Sequence, residues 1–187
     1  YVRYYDDGTF AIICDLFPRK SLLRRKTSGK TIDYQIIAAN IDVAFILQSC
    51  DDNFNMHRLE RYLVMVNDGQ VEPRLILTKC DLVNAQELQH LVSTVREAHI
   101  DCPIYPISNR TGAGLEELRQ ILDSGKTYCL LGSSGVGKTT TLNQLVGQDL
   151  FDTQQVRDYD GKGRHTTTRR QLVVLEQGVM LIDTPGM

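Results

Sequence analysis

The sequence predicts an α/β fold: a mostly parallel sheet with helices on both faces, preceded by a shorter β segment. Three observations carry that expectation. From residue 42 onward, apolar runs of strand length alternate with amphipathic stretches of helical spacing. A glycine-rich turn, GSSGVGKT at 132–139, joins one such run to the next amphipathic stretch. Residues 1–30 break the alternation, because FAIICDLFPRKSLLRRKTSGK combines a β-like run, a proline and a basic tail.

Taken in order, strands are expected near 42–48, 74–78, 103–107, 127–132, 171–175 and 179–183, each a short apolar run bounded by polar or turn residues. Helices are expected over 56–67, 85–99, 114–123 and 138–147. Leu59, Leu63 and Val66 fall on one helical face of the first, and Leu88, Leu91, Val92 and Val95 on one face of the second. Residues 1–30 read as the end of a small β domain with a basic junction, and residues 31–187 as the main domain, with a boundary near 27–35. The opening YVRYYDDG has no charged-then-apolar leader and reads as the interior of a longer protein.

Composition excludes several classes. No apolar run approaches the roughly 18 residues of a membrane span, so no membrane partner is expected. The five cysteines, at 14, 50, 80, 102 and 129, include no C-x-x-C pair and no histidine at ligand spacing, which reads as reduced thiols and no zinc site. A net charge of −2 argues against a surface coated by nucleic acid. Positive charge is local: Arg19, Lys20, Arg24, Arg25, Lys26 and Lys30 occur with no carboxylate between Pro18 and Thr31.

GSSGVGKT matches G-x-x-x-x-G-K-[ST], with an apolar strand before it and a helical pattern after it. In such a loop the backbone of Gly132, Ser133, Ser134, Gly135, Val136 and Gly137 wraps phosphate groups with its N–H donors, and the helix opening at Lys138, Thr139 and Thr140 adds its dipole. Lys138 reaches the β- and γ-phosphates, and the Thr139 hydroxyl ligates Mg²⁺. Further on, VMLIDTPGM puts Asp183 at the tip of an apolar strand, where it holds the ion through a water, and Gly186 where its N–H meets the γ-phosphate.

The base is named by LILTKCDL, residues 75–82. Asp81 at a strand end accepts from two neighbouring donors, which guanine presents and adenine does not. Lys79 lays its methylene stem along the ring, with Thr78 and Cys80 completing the loop. PISNRTGAG, from Pro106, supplies a second loop in which a backbone N–H near Ser108 or Asn109 meets the guanine oxygen. Alone, T-K-x-D is a strand followed by a capped helix; beside a phosphate loop it becomes specific. An ATP-dependent kinase or transport ATPase would keep the phosphate loop and leave TKCD unexplained.

Here the base loops precede the phosphate loop, whereas the usual order is the reverse. In a parallel α/β sheet all loops at the strands' carboxyl ends converge on one crevice, whatever the connection. The domain is therefore expected to be a circularly permuted P-loop GTPase, in the order base loop, second base loop, P-loop, switch I, switch II.

On these motifs, and on PRKSLLRRKTSGKTIDYQIIAANID and GRHTTTRR, the chain resembles the circularly permuted ribosome small subunit-dependent GTPase A family, RsgA, also called YjeQ, YloQ or EngC. The resemblance implies a partial OB-fold before the GTPase domain, GTP/GDP and Mg²⁺ as ligands, and hydrolysis stimulated by the small (30S) ribosomal subunit and its rRNA in late subunit maturation. It also implies a bacterial cytoplasmic setting, a monomer, and zinc in a C-terminal domain outside this sequence. Thr78 stands where many GTPases have Asn, and SNR replaces the commoner Ser-Ala pair.

Met187 follows D-T-P-G where many GTPases carry a water-orienting Gln. His165 in switch I is the candidate for that role, since a neutral imidazole can orient a water near pH 7. Thr167, or failing it Thr166, is the candidate Mg²⁺ and γ-phosphate sensor. His57, His90 and His99 receive no role. The competing class is a GTP-gated rRNA-binding module with negligible hydrolysis; another permuted ribosome-assembly GTPase is the nearer alternative.

Overall fold

The computed structural model describes residues 2–6, 11–26, 33–147 and 170–186. Its centre is the strand β5 (Val43–Ser49), buried along its whole length. VAFILQS is an almost unbroken apolar run because both of its faces are covered. Around it lie β6 (Glu72–Thr78), β7 (Ile104–Pro106), β8 (Thr127–Leu131), β9 (Gln171–Val174) and β10 (Met180–Asp183). The six-stranded order is β7-β6-β5-β8-β10-β9. Every neighbouring pair is parallel except β9 against β10. That is the mostly parallel α/β sheet expected from the alternation.

Side chains along β5 point alternately to two cores. Ala44 and Ile46 join Leu59, Tyr62 and Val66 of α1 (Met56–Asp68) and Val95 of α2 (Ala85–Glu97). Val43, Phe45 and Leu47 join Leu115 and Leu118 of α3 (Leu115–Gln120) and Leu142 and Leu145 of α4 (Lys138–Val146). The helices thus cover both faces of the sheet. Their starts are built into the sequence. The Asn55 side chain accepts from the Arg58 amide at the head of α1, and Asn84 with Glu87 forms a reciprocal capping box at the head of α2.

Several elements stop earlier than their patterns suggest. α3 was expected to run to 123 and ends at Gln120, because the buried Tyr128 hydroxyl donates to the Ile121 carbonyl (3.0 Å) and accepts from the Asp123 amide (2.8 Å). α2 ends at Glu97 rather than 99, since His99 turns into the left-handed region at φ 57°. No strand was expected at β4 (Tyr34–Ala39), where Tyr34 and Ile36 face outward and leave a weak burial signal.

In the N-terminal part, β1 (Val2–Asp6) pairs antiparallel with β2 (Ala11–Leu16), and β3 (Leu22–Lys26) pairs antiparallel with β4. Leu23 is fully buried against the α1 core, and the Leu22 amide donates to the carbonyl of Gly69 just past that helix (3.3 Å). The Ser21 hydroxyl both donates to the Ile41 carbonyl (2.6 Å) and accepts from the Ile41 amide (2.7 Å). The β3–β4 pair therefore joins chain on either side of the boundary expected near 27–35. Arg24 stacks over the Tyr34 ring at 4.5 Å and approaches Asp68 at 3.7 Å, while the Arg25 Nε donates to Gln35 (2.9 Å).

Candidate functional site

The carboxyl ends of β5, β6, β7, β8 and β10 open on one side of the sheet, and the loops that follow them meet there. After β8 the chain turns through Gly132, Ser133, Ser134, Gly135, Val136 and Gly137 into α4. A Cβ on Gly132 would lie 2.8 Å from the Leu47 carbonyl oxygen, and one on Gly137, at φ 95°, would lie 3.2 Å from the Asn109 amide nitrogen. Glycine is required where the loop presses on its neighbours. Val136 is fully buried and pins the middle of the loop, while Ser134 and Gly135 remain exposed at its rim.

Lys138 opens α4 with its side chain folded back into the loop, where Nζ donates to the carbonyls of Gly132 (3.0 Å) and Ser133 (2.9 Å). The residue is 6% exposed. Burial pushes its ammonium down to about 8, against the opposing attraction of Asp183. Thr139 donates its hydroxyl to the fully buried Asp183 carboxylate at 3.0 Å, and Thr140 sits half-buried beside it. The Thr139–Asp183 oxygen pair suits a hard divalent cation that completes its shell with phosphate oxygens and waters. Among the described residues no group of three or more His, Cys, Asp or Glu is placed to hold a metal ion by itself.

β10 carries Asp183 parallel to β8, and the next residue, Thr184, donates to the Leu130 carbonyl (2.6 Å). That bond lays the following turn against the phosphate-loop candidate. A Cβ on Gly186 would lie 2.8 Å from the Ser134 amide nitrogen. The turn after Asp183 thus contacts the glycine loop backbone directly.

The TKCD segment follows β6. Fully buried Thr78 donates to the Val136 carbonyl (2.7 Å), so its hydroxyl fastens this loop to the glycine loop. This supplies, from a shorter side chain, a tie between the two loops at the position where Asn is common. Lys79 takes left-handed backbone geometry, φ 58° and ψ 34°, held by the Cys80 amide on Ile107 (3.1 Å) and the Leu82 amide on Lys79 (3.0 Å). A non-glycine residue in that region is strained, and such strain collects at functional loops.

Asp81 is 14% exposed at its side chain and accepts from the Ser108 hydroxyl at 2.6 Å, with Arg110 3.9 Å away. The Ser108 hydroxyl also accepts from the amides of Arg110 (3.2 Å) and Thr111 (3.1 Å), which curls the second loop around it. The Ser108 amide is committed to the Ala113 carbonyl (2.9 Å). Asn109 donates its side-chain amide to Thr141 of α4 (3.0 Å). The two base-loop candidates therefore lock onto each other, the first also onto the glycine loop and the second onto α4. His165, Thr166, Thr167, Met187 and Lys30 lie outside the described residues.

Sequence reasoning missed the loop after β5. There Asp51 meets Lys79 Nζ at 2.8 Å, and Asn53 donates to the Ser133 hydroxyl at 3.3 Å. Arg58 of α1 braces Asn53 through its carbonyl and its side-chain oxygen. Burial pushes the Asp51 carboxyl up, but hydrogen bonds from Lys79, Ser49 and the Asn53 amide outweigh it and hold the group below the ordinary carboxylate value. The available signal was an acidic residue just past a strand at the carboxyl edge of a parallel sheet.

The RsgA GTPase family model matches residues 16–187. The chain belongs to the RsgA GTPase family. It is 45% identical over 170 residues to small ribosomal subunit biogenesis GTPase RsgA 2 of Lactiplantibacillus plantarum, covering 91% of this chain and 47% of that protein. Among solved structures it is similar to YjeQ from Thermotoga maritima, at 27% identity and a TM-score of 0.68, covering 99% of this chain and 59% of that one. YloQ, described as a circularly permuted GTPase, shares the fold at 22% identity and a TM-score of 0.61, covering all of this chain and 55% of that one. The chain spans about half the length of the curated relatives it matches. The base-loop candidates precede the glycine loop in the chain, in keeping with a circularly permuted GTPase fold. The paired N-terminal strands occupy the place of the OB-like segment expected ahead of it.

Proposed function

We propose that the protein hydrolyses GTP, that the small ribosomal subunit and its rRNA stimulate it, and that it acts in the cytoplasm as a monomer in late maturation of that subunit. The observation that carries this reading is the junction of Asp81, Ser108, Thr78 and Val136. A carboxylate suited to guanine is fixed to the same backbone that would wrap the phosphates. Membership of the RsgA GTPase family supports the same substrate. No helix among the described residues is long and apolar enough to cross a membrane.

In this reading Asp81 accepts from the guanine N1–H and exocyclic amine, and Lys79 covers the ring with its stem. Because the Ser108 amide is already donated to Ala113, the Asn109 amide is the donor for the guanine oxygen. Gly132 to Thr140 enclose the phosphates, and Lys138 leaves its carbonyl partners to meet the β- and γ-oxygens. Thr139 and Thr167 would ligate Mg²⁺ and Asp183 would hold it through a water; a bound ion would supply positive charge against the phosphates. The Gly186 amide contacts the γ-phosphate. His165 orients the attacking water, with switch I brought into place by the subunit. Residues 1–30, with Arg19, Lys20, Arg24, Arg25, Lys26 and Lys30, form the end of an OB-like domain and its basic junction, meeting rRNA phosphates.

Two measurements test this directly. GTP turnover by the full-length protein is compared with purified small and large subunits added separately, with ATP as competitor. Stimulation by the small subunit alone, unaffected by ATP, is expected; turnover that stays negligible with either subunit favours a GTP-gated binding module instead. In H165A the stimulation should vanish while GDP affinity survives, and full stimulation of H165A would remove the histidine from the mechanism.

Thr139→Ala separates metal ligation from phosphate contact. It removes an oxygen from the cation site and its bond to Asp183. Turnover should fall by about 10²-fold and recover in part as Mg²⁺ is raised to millimolar excess. A loss that does not respond to Mg²⁺ would show that Thr139 is not a metal ligand.

A further inference from the structure

We infer that Asp51 is a positioning residue of the base site, holding Lys79 in place for a purine ring through their ion pair. The inference rests on the guanine-nucleotide reading above and adds to it a loop that none of the motifs contains. Asp51 follows β5, and the Cys50 amide donates to the Thr78 carbonyl (2.9 Å), which sets the two strand ends side by side. One oxygen, Oδ1, is fixed by the Ser49 hydroxyl (2.5 Å) and the Asn53 amide (3.1 Å). The other, Oδ2, meets Lys79 Nζ at 2.8 Å. The carboxylate is thus oriented by its own loop and offers its second oxygen to the lysine.

The two side chains are 34% and 30% exposed, so neither is free in solvent nor sealed from it. A lysine stem has several rotatable bonds, and fixing it on a ligand costs conformational entropy. With the ammonium anchored at Asp51 and the backbone locked in its left-handed turn, both ends of the stem are set before a nucleotide arrives. Affinity gained by such preorganisation comes from ordering already done. The same loop reaches the glycine loop through Asn53 and Ser133. Base-covering and phosphate-wrapping segments therefore share one support.

Asp51→Asn isolates the effect. Its amide oxygen can still accept from Ser49 and Asn53, while an amide nitrogen replaces the anion facing Lys79. In the full-length protein D51N should weaken GDP and GTP binding alike, by about three- to ten-fold. The turnover number at saturating GTP should stay unchanged, since no group touching the γ-phosphate has moved. K79A should cost at least as much, and D51N/K79A should be no worse than K79A alone.

Unchanged GDP affinity in D51N overturns the positioning role, as does a D51N loss that adds in full to that of K79A, which would mean that Asp51 only shapes its loop. Failure of the parent protein to bind GDP overturns the guanine-site reading and this role with it. Normal parental binding with an unaffected D51N overturns this role alone.

Discussion

Lys138→Ala will lower GTP turnover by about 10²-fold or more without unfolding the protein. Lys138 is 6% exposed, and its ammonium donates to the Gly132 and Ser133 carbonyls within the loop. Burial holds it at about 8, well below the ordinary lysine value of 10.5. The unfolded chain therefore binds more protons than the folded one between about pH 8 and 10.5, and Lys138 makes the nucleotide-free protein more stable as pH rises through that window. Below it the charge opposes folding in full. Removing the lysine should leave stability at pH 7 equal or higher and abolish that rising component. Burial pushes the thiols of Cys50 and Cys129 up to about 12, which acts in the opposite sense above pH 9, so the difference between parent and variant isolates the lysine. Urea denaturation at pH 7 and 10, with single-turnover hydrolysis, measures both effects. Parental turnover in K138A would refute the phosphate assignment.

Asp81→Asn should exchange one base for another. In the parent, Oδ1 accepts the Ser108 hydroxyl at 2.6 Å and Oδ2 lies 3.9 Å from the Arg110 guanidinium. An Asn can keep its oxygen on Ser108 and turn its NH₂ toward the base. That places a donor against the guanine amine, and unpaired buried polar groups discriminate strongly, so GTP affinity should drop by roughly 10²-fold or more. Xanthine carries a carbonyl at that position and should gain affinity. Competition of GDP and XDP for the variant, read by calorimetry, gives the answer. If D81N binds GDP as well as the parent and gains nothing for XDP, Asp81 does not read the base.

The parts of the fold that could be read in the chain are those whose pattern reflects a local cause. β5 is apolar throughout because both its faces are covered, and the glycine loop needs its glycines where a Cβ would strike Leu47 or Asn109. Asp81 and Ser108 each stand in a short motif. Their 2.6 Å hydrogen bond could not be read there, because it depends on β6 and β7 lying side by side. Asp51 and Asn53 carry no motif at all. Their contacts with Lys79 and Ser133 arise because β5 lies between β6 and β8, a fact of sheet order that no window of sequence contains. The end of α3 was misread for the same reason, since the Tyr128 hydroxyl that stops it comes from a strand on the other side of the turn.

The position of β5 also sets the order in which the molecule can assemble. Its partner on one side, β6, follows soon after it, whereas on the other side Val43 waits for Tyr128 of β8. A chain emerging from its amino end completes β5, β6 and β7 while Val43–Ile46 of β5 still present an unpaired edge along an apolar segment. Such an edge is a template for pairing with other chains, and distant pairings close slowly because loop entropy is spent before contacts are gained. In a GTPase of ordinary order the phosphate strand is synthesised first and later strands add around it. Here a nascent chain reaches Ser108 with both base-loop candidates in hand and the β8-facing edge of β5 still open, so chaperone demand and aggregation should peak in that interval of synthesis and fall once residues 128–131 pair with β5.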